Sequence, residues 1–151
     1  MTIDIANGNY TISTDKEKLD IPFIHAFLSK ESYWALNVPL ETVQRSIANS
    51  LCFGVYHNPS SSQVGFARII TDYATIAYLG DVFITIPHRG HGLSKTLMQQ
   101  IMTHPDLQGL RRWVLLTADA HDLYRQFGWQ SIPNPEKYME VHNPNPYDKP
   151  Q

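Results

Sequence analysis

"PHRGHGLSKTLM", residues 87–98, follows the apolar run "VFITI" (82–86) and leads into leucine and methionine at helical spacing. Gly90 and Gly92 stand two residues apart just before the first of these, Leu93, and the spacing continues through Leu97, Met98, Ile101 and Met102. Glycines crowded ahead of a helix let backbone N–H groups approach a ligand closely. The unsatisfied amides and positive dipole end of a helix N-terminus favour an anion there, most often a phosphate. The stretch therefore predicts a strand, a phosphate-holding turn and an amphipathic helix, with Arg89 and Lys95 supplying countercharge.

Composition limits what the phosphate can belong to. A chain of 151 residues with 42% hydrophobic and 17% charged residues fits one domain with a sizeable core. A net charge of −2 gives no general attraction to nucleic acid or to an anionic membrane, so the expected ligand is small. The single cysteine, Cys52, allows no internal disulfide and suits a reducing cytoplasm. "MTIDIANGNY" (1–10) lacks the basic and apolar regions of a signal peptide, and no run approaches the length of a membrane span. The seven histidines show no His-x-x-x-His spacing and no pairing with cysteine, so no metal site is expected.

Along the chain, "YTIST" (10–14) reads as a strand and "DIPFIHAFL" (20–28) as a helix capped by Asp20 with Pro22 in its first turn. A second helix is predicted from Pro39 to Ser50 on the spacing of Leu40, Val43 and Ile47. Three β-rich runs follow, 51–57, 63–72 and 77–86, the first two separated by the turn-forming "NPSSS". Then come a helix over 90–103, a strand over 111–117, a short helix within 119–128 and a last strand around "KYMEV" (137–141). The order predicts an α/β fold with a mixed sheet in one domain over 1–141, strand 77–86 at its centre, and a proline-broken tail over 142–151.

Three phosphate signatures compete for the turn. A P-loop would need glycine where Arg89 and Ser94 stand, and a dinucleotide fingerprint would need its third glycine at Lys95. The third fits: Arg89-Gly90-His91-Gly92-Leu93-Ser94 resembles the acyl-CoA signature Arg/Gln-x-x-Gly-x-Gly/Ala of the GNAT superfamily of N-acetyltransferases, with Ser94 at the Gly/Ala position. A second segment agrees. Tyr124, Phe127, Gly128 and Trp129 resemble the superfamily's late tyrosine and its Phe-Gly-Phe/Trp step into the next strand.

The resemblance is tight over 63–129 and looser before it. It implies a central mixed sheet of six to seven strands flanked by helices, in which strand 77–86 splays from strand 111–117. It further implies that acetyl-CoA is the acyl donor. Its pyrophosphate would lie on residues 89–95, its pantetheine arm would bond the backbone near Val82, Phe83 and Ile84, and Phe127 would lie close by. The implied reaction is direct transfer of acetyl to an amine in a ternary complex, with Tyr124 protonating the departing thiolate.

The remaining chemistry is read from residue types. Direct attack by an amine needs no covalent enzyme intermediate, so Cys52, in an apolar strand, is expected in the core. Asp81 interrupts an apolar strand, where a carboxylate is costly unless paired or used. It reads either as the general base or as the partner of Arg68, the other charge within a hydrophobic strand; Asp72 and Glu31 are further base candidates. The acceptor side is expected from Glu31, Tyr33, Trp34, Asp72, Tyr78 and Trp129, aromatics with interspersed acids that would suit an amine of a small molecule or peptide. His88, His91 and His121 are expected at the surface near the phosphates. The protein would act as a monomer or homodimer, without nucleic acid or membrane. Two rivals remain: a non-catalytic acyl-CoA-binding sensor, and a nucleotide-dependent phosphotransferase using Lys95 and Thr96.

Overall fold

Apolar residues dominate the three long runs after residue 50, and each becomes a sheet strand with both faces covered. The structure, a computed structural model of the chain, describes residues 2–5 and 8–147. Its strands are β1 (Thr2–Ile5), β2 (Tyr10–Ser13), β3 (Leu51–His57), β4 (Ser62–Thr71), β5 (Ile76–Ile84) and β6 (Arg112–Leu115). They lie in chain order in one six-stranded sheet, so β5, expected at its centre, stands instead next to the edge strand β6, because the two N-terminal strands extend the sheet only on the β3 side. β1 to β5 pair antiparallel, through short turns except between β2 and β3, where two helices intervene, whereas β6 runs parallel to β5 after a helical crossover.

The helices are α1 (Ile21–Lys30), α2 (Leu40–Ala48), α3 (Leu93–Thr103) and α4 (His121–Arg125). Asp20 caps α1 by accepting from the Phe23 amide, and Pro22 occupies the first turn, where a missing N–H costs nothing. α1 and α2 cover one sheet face with Ile24, Phe27, Leu28, Val43 and Ile47, which meet Cys52, Phe66 and Phe83. Phe27 and Phe83 stack at 3.8 Å between centroids. On the other face, Leu93, Leu97, Met98 and Ile101 of α3 and Tyr124 of α4 pack on Phe53, Val55, Ile69, Leu79 and Ile84.

Several ends differ by one or two residues from those read in the sequence, with β5 stopping at Ile84 and β6 spanning only Arg112–Leu115, and three differences go further. β1 was not assigned from the sequence, and it adds an edge strand to β2. α3 starts at Leu93 rather than 90, because Gly90 and Gly92 take positive φ values of 87° and 72° that a continuing helix excludes. The strand expected at 137–141 does not form. Pro135–Lys137 make a 3-10 turn, and Met139 and Val141, at 98% and 106% exposure, have no neighbouring strand to pack on. Prolines 133, 135, 144 and 146 break the surrounding chain, so "KYMEV" has strand-forming side chains without a ladder to join. Further on, Tyr147 packs against the α1–α2 layer.

Gly65 marks the closest approach of three strands. A Cβ there would lie 2.6 Å from Ile84 Cδ1, 3.0 Å from the Phe83 carbonyl oxygen and 3.1 Å from Val55 Cβ. The Ile84 methyl can swing away, but the Phe83 oxygen is paired backbone and the Val55 Cβ is fixed directly to its own strand. Gly65→Ala is expected to lower stability by about 1–3 kcal/mol through overpacking, read as a lower urea midpoint with unchanged slope; an unaltered midpoint would show that the strands are not this close.

Candidate active site

The site is built where β5 leaves its neighbour. β5 and β6 are in register only from Ile76↔Arg112 to Leu79↔Leu115, so residues 80–84 of β5 have no partner on the β6 side. On the β4 side, Arg68 pairs with Gly80 and Phe66 with Phe83, so Ala67 alone faces Asp81 and Val82. This is a β-bulge, which bends a strand and increases its twist. Asp81 takes φ 55°, the left-handed conformation that aspartate tolerates better than most residues. The extra residue also reverses the alternation of the strand. Ala77 and Leu79 point to the α3 face, but beyond the bulge it is Ile84 that does so, and Phe83 joins the α1–α2 layer.

Asp81 is held from two sides. Its Oδ2 accepts from Arg68 Nε at 2.8 Å and its Oδ1 from the Trp34 indole Nε1 at 2.9 Å. Arg68 Nη1 donates to Ser50 Oγ at 3.1 Å. The two charged side chains are only 16% and 12% exposed. The pairing with Arg68, one of the two roles the sequence left open for Asp81, is the one the geometry contains, and neither carboxylate oxygen is without a partner.

At the C-terminal end of β5 the chain enters the glycine turn. Arg89 Nε donates to the Ile84 carbonyl at 2.8 Å, tying the turn to the strand end. Gly90 and Gly92 have no heavy atom within 4 Å of an added Cβ, so the turn borders open space. No side chain caps α3, which leaves the first-turn amides of Leu93, Ser94 and Lys95 directed outward without partners. Backbone donors, a helix dipole and the exposed side chain of Lys95 thus converge on one concave turn, which fits a pyrophosphate. The unpaired β5 edge beside it can hydrogen-bond an extended amide-bearing chain as a missing strand would.

After β6, α4 carries Tyr124, 8% exposed, its ring 5.9 Å from Trp129 and packed in the same core cluster as Leu79 and Ile84 of β5. Burial, then the nearby Tyr33 and Asp119, push its hydroxyl above the usual tyrosine range, so it holds its proton at neutral pH. No group among the described residues hydrogen-bonds that hydroxyl. The α1–α2 connection spans the opening. Trp34 reaches Asp81 on β5, while Tyr33 Oη accepts from the Ala118 amide beyond β6 at 3.0 Å. The two rings pack edge-to-face at 5.0 Å and stay substantially exposed.

The other residues singled out in the sequence are more dispersed. Tyr78 lies half-buried on β5 with its ring beside Gly80, and burial raises its hydroxyl pKa. Asp72 sits in the β4–β5 turn, accepting from the amides of Ala74, Thr75 and Ile76 and from Thr75 Oγ1. The Thr75 hydroxyl and then these amides hold its carboxyl far below the usual range. Glu31 is the exposed C-cap of α1. Trp129 and Phe127 pack on the core beneath α4, and the Trp129 Nε1 is sealed without a partner. Cys52 is buried, and burial pushes its thiol up to about 11, against a role as a thiolate nucleophile. Two surface hollows, one at Lys16, Ser50 and Leu51 and one at Pro105, Asp106 and Gln108, both reach Tyr73 and lie at the opposite end of the sheet. They have none of this donor chemistry. The signal for Trp34 and Arg68 as partners of Asp81 was present only as an isolated acid and an isolated base in apolar strands.

A parallel pair that parts after four paired positions at one edge of a mixed sheet, a glycine turn opening a helix at the end of β5, and a buried tyrosine on the helix after β6 define an acyl-CoA-dependent acyltransferase class of site. The sequence matches the acetyltransferase (GNAT) family over residues 21–129, and the chain belongs to that family, whose acyl donor is acetyl-CoA. A candidate GNAT acetyltransferase of Xanthomonas campestris pv. campestris is 51% identical, covering 93% of this chain and 97% of its own, with a TM-score of 0.89. A candidate acetyltransferase of Gibberella zeae is 35% identical over 78% of this chain and 76% of its own. A Clostridium acetobutylicum structure solved with acetyl-CoA shares the fold at 12% identity, covering 94% of this chain and 96% of its own, with a TM-score of 0.64. No helix among the described residues is long and apolar enough to cross a membrane.

Asp81→Asn keeps an acceptor for the indole but leaves a largely buried guanidinium without its counter-ion. A cost of about 1–3 kcal/mol follows, lowering Tm by roughly 3–10 °C. An unshifted melting curve in calorimetry would show that the pair does not hold the bulge.

Proposed function

We propose that this protein is an N-acetyltransferase that passes the acetyl group of acetyl-CoA directly to a primary amine of a small molecule or peptide, with both substrates bound together. The observation that carries this reading is the unpaired β5 edge at residues 80–84, with the glycine turn at one end of it and the buried, unpartnered Tyr124 packed in the core cluster of the same sheet face.

In this reading the amides of residues 90–95 and the charge of Lys95 bind the pyrophosphate, and Arg89 holds the turn against Ile84. The backbone of Val82, Phe83 and Ile84 bonds the pantetheine arm, which orients the thioester toward Tyr124. Acetyl-CoA supplies the activated acyl group. The amine lone pair forms the new C–N bond as the C–S bond breaks, and the electron pair of that bond stays on sulfur. Tyr124 delivers its proton to that sulfur, and the amine surrenders its own to solvent, which restores the tyrosine. The proton must be present at working pH, and the raised hydroxyl pKa keeps it there.

The acceptor enters beside Tyr33 and Trp34, whose exposed rings form one wall. Asp81 acts as a positioning residue, fixing the indole and the bulge together. With Asp72 committed to its turn and Asp81 to Arg68, few carboxylates are free to draw a cation, so aromatic contact sets acceptor preference more than charge does. The buried Cys52 suits a reducing cytoplasm.

Screening a panel of primary amines with acetyl-CoA for free-thiol release tests the reading: amine-dependent release supports it, whereas acetyl-CoA binding without release for any amine would indicate a sensor. Gly92→Val places a β-branched residue at φ 72° in the phosphate turn, so acetyl-CoA affinity measured by calorimetry is expected to fall tenfold or more with the fold retained. Tyr124→Phe removes only the hydroxyl. Acetyl-CoA affinity is expected to be unchanged while the single-turnover transfer rate drops by roughly 100-fold. The wild-type rate is expected to hold to alkaline pH, its tyrosine-dependent fall lying above about 10. A transfer step as fast in the variant would remove Tyr124 from the chemistry.

A further inference from the structure

Behind the glycine turn, four rings from separate parts of the chain meet. Tyr10 opens β2, His57 ends β3, His88 lies in the 3-10 turn Ile86–His88, and His91 is between the two glycines. Tyr10 is the hub, 5% exposed, with its ring 5.3 Å from His57, 5.8 Å from His88 and 5.8 Å from His91. His57 and His88 are themselves 4.8 Å apart. Tyr10 Oη and His88 Nδ1 share a hydrogen bond of 3.0 Å, and His57 Nδ1 one of 2.6 Å with Ser60 Oγ.

This grouping is not a metal site, since no set of three or more such side chains among the described residues is arranged to hold a metal ion. Nor does it contain an acid. The titratable groups that face His88 are Tyr10 from β2, His57 from β3 and His91 from the turn, so a positive charge gained here has no carboxylate among the described residues in contact with His88 to balance it. Burial and the two other imidazoles keep His88 below the usual histidine range. The Tyr10 hydroxyl can donate to a neutral Nδ1 or accept from a protonated one, so its bond to His88 persists in both states with the donor reversed. The cluster therefore fastens the turn to β2 and β3 whether or not it is charged. What it lacks is a counter-ion, and the turn it supports is the place proposed above for two phosphates.

We propose that the Tyr10–His57–His88–His91 cluster is a proton-coupled positioning element for the phosphate turn, gaining a proton when a pyrophosphate ligand docks and so making affinity for CoA rise as pH falls. The inference rests on the CoA reading of the turn. Its sign follows from linkage: a nearby anion raises the imidazole pKa values in the complex above those of the free protein. Binding then takes up protons over the interval between the two, with at most a tenfold affinity gain per pH unit for each proton.

Dephospho-CoA is the suitable probe, because its pyrophosphate diester does not titrate near neutrality, whereas the 3′-phosphate of CoA has a pKa of about 6 and adds its own protons. Calorimetric titrations from pH 7.5 to 6.0 are expected to show affinity rising roughly threefold or more in the wild type. At pH 6.5, two buffers of different ionisation enthalpy should reveal net proton uptake. His57→Asn and His88→Asn are expected to bind comparably at pH 7.5 but to lose at least half of the pH slope; should His88→Asn fail to fold, His57→Asn, at the end of β3 and outside the turn, carries the comparison. A pH-independent wild-type affinity, or a slope unchanged in the variants, overturns the proposal while leaving the CoA reading intact. Absence of binding by both CoA and dephospho-CoA at every pH overturns both.

Discussion

The extra residue at Asp81 is the constraint on which the rest of the site depends. Without it, β5 would keep one alternation along its length and could continue alongside β6. With it, the strand bends beyond the last paired position, Leu79↔Leu115, and its far end turns free while remaining bonded to β4. A left-handed aspartate within a paired strand is costly, and the Arg68 guanidinium and Trp34 indole are what offset that cost. The same side chains therefore stabilise the bulge and fix the α1–α2 connection, so stability and the shape of the proposed acceptor entrance are linked through one carboxylate.

Much of this was legible beforehand because it obeys local rules. The run 51–57 is apolar on both faces and became β3 with those bounds, and the Asp20–Pro22 start of α1 is a capping pattern that needs no tertiary help. The glycine turn was legible for the same reason: only glycine takes positive φ freely, so its placement before a helix carries structural information. Arg68 and Asp81 stood out as charges in apolar strands, but their geometry depends on a register shift that no local pattern records. The contacts of Tyr33 and Trp34 join positions 85 and 47 residues apart, beyond any spacing argument. "KYMEV" failed in the opposite way: its side chains favour a strand, but a strand needs a neighbour with free backbone groups, and the prolines around it carry the chain elsewhere.

Electrostatics also shifted the picture of the acceptor side. Acids near aromatic residues read as a trap for a cationic amine, yet Asp72 is consumed by its own turn and Asp81 by Arg68. What remains is a pair of exposed rings and the edge of Tyr78. The glycine-turn end is the reverse, with backbone donors, Lys95 and a histidine cluster at the same turn and, among the described residues, no carboxylate in contact with His88. The two ends of β5 thus differ in chemistry as well as in geometry.

The central claim is that the cleft between β5 and β6 takes CoA, with its phosphates on residues 90–95. Amide NMR of the labelled protein during titration with CoA tests this most directly. The account predicts that the largest shifts fall on Gly90, Gly92, Leu93 and Ser94 and on Val82 to Ile84, with ATP unable to reproduce the strand shifts. Shifts confined to the hollows around Lys16 and Tyr73, or none at saturating CoA, would contradict it.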